Sequence, residues 1–96
     1  MTKCFDQKQK KIVINELELM GWTFKNDIIT SPSQGLFFNE SHFEWWTPNE
    51  MYKVIDNRGK RVAKEKHNGW KQFSEEHFQV CKAIEKMWKY YSLKPS

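Results

Sequence analysis

The chain has 96 residues, 39% of them hydrophobic and 29% charged, and nets +4 from 16 Lys and Arg against 12 Asp and Glu. A chain this short buries only somewhat over ~60% of its unfolded surface, which excludes a second independently stable core and leaves one domain over residues 1–96. Its longest apolar runs are three residues, such as Leu36-Phe37-Phe38, against the roughly 18 that a membrane span needs, so a transmembrane helix is excluded.

The first element expected is a helix from Gln7 to Met20. Asp6 serves as N-cap with Gln9 three positions on, a pair that satisfies each other's orphan amides, and Gly21 follows as a stop. Val13, Ile14, Leu17 and Met20 form its core stripe. Against it stand the β-branched Ile12-Val13-Ile14 and the acids Glu16 and Glu18 at the negative end of the macrodipole.

From Trp22 to Trp46 short apolar runs alternate with turn residues. Lys25-Asn26-Asp27 divides the first run from Ile28-Ile29-Thr30, residues 31–35 (SPSQG) divide that from Leu36-Phe37-Phe38, and Asn39-Glu40-Ser41 precedes residues 42–46 (HFEWW). A three- or four-stranded antiparallel meander follows. Strand alternation in the last run sends Glu40, His42 and Glu44 one way and Phe43 and Trp45 the other. On that reading Trp45 is core and Trp46 is the outward contact residue.

A second helix opens at Thr47 as N-cap, with Pro48 at N1 and Glu50 at N3. Met51, Val54, Ile55 and Val62 keep a 3.6-residue period, and Gly59 ends or turns the helix. The rival is a hairpin, with residues 54–56 and 61–63 as strands around Gly59. His67-Asn68-Gly69 then breaks the chain. Ser74 is expected to cap a last helix that carries Glu75 and Glu76 in its first turn. Val80, Cys81, Ile84, Met87, Trp88 and Tyr91 are its apolar stripe, while Lys82, Lys86 and Lys89 stack on its outer face as a secondary basic ridge. Residues 93–96 are expected to fray. The fold class is therefore α+β: an N-terminal helix, a three- or four-stranded antiparallel meander, then two C-terminal helices.

Charge and aromatics point to function. Arg58, Lys60, Arg61, Lys64, Lys66 and Lys71 stand against only Glu65 in the stretch from Arg58 to Lys71, which carries more positive charge than the whole chain nets. Such a face suits phosphates, whose neutralisation releases counterions. Trp46 and Trp70 flank it as candidate stacking residues, and an aromatic content of 16% exceeds what one small core needs. Trp22 and Trp88 are expected in the core.

Other chemistries fit less well. Cys4, His42, His67, His77 and Cys81 are possible metal ligands, and His77 and Cys81 stand four apart on the last helix, but no second close pair completes a site. No metal and no cofactor are expected. Glu40, His42 and Glu44 on one strand face could combine acid and base, yet no nucleophile or oxyanion feature accompanies them. Phosphate-binding, Rossmann and nucleophile-elbow motifs are missing, so the expectation is a protein that is not an enzyme. The N-terminal sequence lacks an apolar segment of the secretory kind, and two cysteines at opposite ends suit a reducing compartment, so a cytoplasmic location is expected.

Residues 21–38 (GWTFKNDIITSPSQGLFF) resemble methyl-CpG-binding domains in running from a Gly-Trp pair through strands to a Ser-Pro turn closed by Gly. Only Lys25 and Asn26 occupy the place of that family's long basic loop, so no residue role is carried over. The small, Lys- and Asn-rich chain with surplus aromatics also resembles in style the accessory proteins of phages and mobile elements. The leading expectation is a binding protein that contacts DNA or RNA mainly through phosphates. Its alternative is an inhibitor or adaptor that presents the same cations and aromatics to an acidic or nucleic-acid-binding surface of a nuclease, a defence complex or another nucleic-acid-processing protein.

Overall fold

Capping decides where two of the helices begin. In a computed structural model, which describes residues 5–66 and 68–92, α1 spans Gln7–Leu19. Asp6 accepts from the Gln9 amide while the Gln9 side chain accepts from the Asp6 amide. The same reciprocal pair, Thr47 with Glu50, opens α3 (Pro48–Glu65), with Pro48 in its first turn. The helix α1 ends on a Schellman motif: the Trp22 amide donates to the Leu17 carbonyl and the Gly21 amide to Glu18. Gly21 is there because the motif needs a positive φ, here +98°.

Three strands follow, β1 (Thr23–Lys25), β2 (Ile28–Thr30) and β3 (Phe37–Asn39), in an antiparallel sheet of order β1-β2-β3. Asn26 and Asp27 both have positive φ, as a two-residue type I′ hairpin requires. This fixes the register at Lys25 opposite Ile28 and Phe24 opposite Ile29, and β2 to β3 pairs Ile29 with Phe38. Ile29 and Phe38 therefore share the core face, and both are buried. The opposite face carries Ile28 and Phe37, which are exposed.

The meander has three strands, not four. The run His42–Trp45 is a short helix, α2, where strand alternation was expected. The Phe43 amide donates to the Glu40 carbonyl and the Glu44 amide to Ser41, so backbone partners lie within the segment and not across a sheet. Phe43 is completely buried between Phe5 and Phe38, with ring centroids 4.8 and 5.6 Å away. One buried aromatic anchors the turn, and helical spacing then redirects both tryptophans: Trp45 lies 64% exposed, while Trp46 is half-buried against the core. The expected assignment of the two is reversed.

The helix α3 runs through Gly59, excluding both the stop and the hairpin. A Cβ at Gly59 would stand 2.8 Å from a ring carbon of Phe78 and 3.0 Å from the His77 Cβ, so the glycine serves close approach of α3 to the last helix. That helix, α4, spans Trp70–Ser92 and begins four residues before the expected cap at Ser74. Ser74 is buried inside it, its hydroxyl donating to the Lys71 carbonyl. Val80, Ala83, Ile84 and Met87 meet Val13 and Leu17 of α1 and Ile29 of the sheet in the core. The Trp22 indole N–H donates to Gln79 at 2.7 Å, which ties the end of α1 to α4. Trp88 is half-buried and packs on the core against Tyr52.

Two titratable groups are held in the seam between α3 and α4. Burial, with Asp56 and Glu85 nearby, pushes the Cys81 thiol up to about 12. A hydrogen bond to Glu85, aided by burial, likewise raises Tyr52 to about 12. No described helix is long and apolar enough to cross a membrane. Cys4 and His67, named above as possible ligands, and the terminal residues 93–96 lie outside the described residues.

Candidate functional site

The basic stretch does not form one face. Two residues turn an α-helix by about 200°, so Arg58 and Lys60 project from nearly opposite sides of α3. Lys60 and Lys64 share the solvent pole with Lys53, seven residues before Lys60, and the Lys60 ammonium pairs with Asp56 at 3.0 Å. Arg58 and Arg61, three apart, are neighbours on a flank. Both are exposed, and neither they nor Lys64 take part in an ion pair among the described residues. Lys66 takes a left-handed conformation (φ 52°) at the C-cap of α3, and Lys71 belongs to α4.

Arg58 continues the stripe that Met51 and Ile55 begin, at spacings of four and three, and so stands at the edge of the core. There it lines a cleft of about 180 Å³ between β3, α2 and α3. Leu36, Met51 and Ile55 supply apolar lining, and the aromatic lining comes from Phe37, Phe38, His42 and Trp46. The His42 ring is the hub of the aromatics, with centroids 6.4 Å from Phe38, 5.3 Å from Trp45 and 6.2 Å from Trp46. Its Nδ1 lies 3.0 Å from the Asn39 amide and 3.1 Å from the Asn39 carbonyl, which fixes the ring on the end of β3. Phe37, on the outer face of β3, is 64% exposed.

The wall at Leu36 and Phe37 is held from a distance. Residues 31–35 form a loop closed by the Ser31 amide on the Leu36 carbonyl and by the Leu36 amide on the Ser31 hydroxyl. Glu76 of α4, 2% exposed, accepts from the Ser33 amide at 2.9 Å and from the Ser33 hydroxyl at 2.7 Å. A buried carboxylate with both oxygens engaged is a strong pin for a neutral loop.

The remaining predicted residues gather elsewhere. Trp70 and Lys71, with the ammonium 5.9 Å from the ring centroid, lie in a shallow open groove along α4 with Lys82 and Glu75. Lys82, Lys86 and Lys89 are exposed on α4 as expected, and Lys86 stands 3.7 Å from Glu16. The structure thus joins Trp46 to Arg58 on one cleft, with Arg61 one helical turn further along α3, and Trp70 to Lys71 and Lys82 in a separate groove. Phe37 was missed from sequence, and its signal was the register that puts it opposite Thr30 on the uncovered face of the sheet.

The acid and base reading of Glu40, His42 and Glu44 dissolves with the strand. Glu40 pairs with Lys10, whose hydrogen bond lowers its pKa, His42 holds Asn39, and Glu44 is exposed. Among the described residues no three His, Cys, Asp or Glu side chains are grouped to hold a metal ion. His77 instead places its Nδ1 2.8 Å from the Phe73 carbonyl, inside α4. No family model, no curated protein and no solved structure matches the chain, so the site rests on its own residues.

Proposed function

We propose that this chain is a non-enzymatic binding protein that holds nucleic acid through phosphate contacts along the Arg58 and Arg61 flank of α3. The observation that carries this reading is the position of Arg58 in an aromatic cleft beside Trp46 and His42, without a carboxylate partner among the described residues. An unpaired guanidinium on an aromatic cleft, with a second one turn away, suits a ligand that is both anionic and flat-ringed. Lys64, Lys66 and Lys71 add long-range attraction, and Lys60 adds less because Asp56 offsets its charge.

An anisotropy titration with generic DNA and RNA tests it. Binding should be measurable at about 50 mM salt and fall steeply towards physiological salt, and no binding at the lower salt overturns the reading. A second reading, an inhibitor or adaptor of a nuclease or defence complex, draws on Phe37 and Trp45, each 64% exposed, since exposed aromatics are common anchors of protein interfaces. Affinity capture before and after nuclease treatment separates the two. A single protein retained after nuclease supports the second, and loss of all captured material supports the first.

A further inference from the structure

Resting on the nucleic-acid reading, we propose that the cleft receives one unpaired base, so that the chain prefers single strands or looped-out nucleotides to duplex. The volume of about 180 Å³ suits one planar ring system and not a stacked base pair. A base within a duplex is paired on one edge and covered on both faces, so only an unpaired one can leave the stack to enter such a cleft.

The lining fits that occupant. Leu36, Met51 and Ile55 offer apolar surface, while His42 and Trp46 offer rings that already pack on one another. Arg58 stands on the lining itself, with Arg61 one turn further along α3, spaced to meet the phosphate of the inserted nucleotide and that of its neighbour. An apolar side chain of a protein partner would use the rings but leave both guanidinium groups without a counter-charge, whereas a nucleotide supplies a ring and a phosphate together. At the rim of the cleft Phe37, and outside it Trp45, 5.3 Å from the His42 ring, are exposed platforms for the adjoining bases.

The test compares a fluorescein-labelled single strand of roughly 12 nucleotides with its duplex, as DNA and as RNA, at about 50 mM salt. The single strand should bind about tenfold more tightly or better. Phe37→Ala, at a largely exposed position that leaves the core untouched, should weaken single-strand binding about tenfold while duplex binding stays within about twofold. Trp46→Phe, which keeps a ring, should cost less than Trp46→Ala in the same assay, with circular dichroism confirming that both fold. Equal affinity for strand and duplex, with no effect of Phe37→Ala, overturns the base pocket while leaving the phosphate reading in place. No binding of either nucleic acid, including the case where one host protein is captured instead, overturns both.

Discussion

Trp46 and Trp70 both sit beside cations, but in different kinds of place. Trp70 and Lys71 are neighbours in sequence, and they pair on an open groove of α4. Trp46 and Arg58 line one cleft, whose other walls come from β3 and α2. Adjacency along the chain produces a patch, whereas an enclosed site needs residues brought together by tertiary structure. Only the second arrangement surrounds a ligand with fixed groups and so limits what fits.

The largest expected effect tests that difference directly. Arg58→Glu with Arg61→Glu should lower nucleic-acid affinity by ~100-fold or more at low salt, because two phosphate contacts become repulsions. Lys71→Glu with Lys82→Glu should cost only a few-fold, through the long-range field. Anisotropy titrations of both variants check the ranking, and the reverse order would move the site to α4.

Next comes the support of the cleft. Glu76→Ala removes a buried acceptor from the Ser33 amide and hydroxyl and should lower stability by about 2–3 kcal/mol in urea unfolding. It should also weaken single-strand binding through the Leu36 and Phe37 wall, with little change at the Trp70 groove. Gly59→Ala tests the helix seam that both regions share. Crowding against Phe78 and His77 costs about 1–3 kcal/mol, and the better helix propensity of alanine returns about 1. The net is a lower Tm by several degrees, read by circular dichroism.

The same seam should be sensitive to alkali. Cys81 and Tyr52 have folded-state values near 12 against ordinary values of 9.0 and 10.0. Above about pH 9 the unfolded chain loses protons that the folded chain keeps, so stability falls with rising pH across the interval up to about 12. Cys81→Ala should remove the thiol part of that slope, which urea titrations at pH 7 and pH 10 would show. The smallest effect is expected at the basic ridge, where Lys82→Ala and Lys89→Ala, exposed and not on the cleft lining, should each change stability by less than about 0.5 kcal/mol.

Much of the fold was legible in the sequence because capping chemistry is local. Asp6 with Gln9, Thr47 with Glu50, and Gly21 act within one turn of the chain, and so does the Asn26-Asp27 hairpin. Residues 42–46 were misread because five alternating residues are too few to distinguish period 2 from period 3.6. What decides them is burial of Phe43 between Phe5, 38 residues away in sequence, and Phe38 of β3. Gly59 misled for a related reason. A glycine after an apolar stripe looks like a stop, and only the partner helix reveals that it is a contact.

The candidate site was half legible. Arg58, Arg61 and Trp46 stood out by charge and residue type, but the run from Arg58 to Lys71 looked like one surface because it is continuous in sequence. Helical rotation divides it, and Lys71 lies on α4, a different element from α3. The spacing of Met51, Ile55 and Arg58 carried the signal that one arginine faces the edge of the core, whereas Phe37 depended on a strand register that no single residue encodes.

The most direct measurement is the salt dependence of single-strand binding for Arg58→Ala with Arg61→Ala beside Lys71→Ala with Lys82→Ala. With about 0.7 of slope for each phosphate contact, the arginine pair should reduce the slope of log affinity against log salt by ~1.4 and the lysine pair should leave it nearly unchanged. A slope retained in the arginine variant and lost in the lysine variant would contradict a nucleic-acid site at the aromatic cleft.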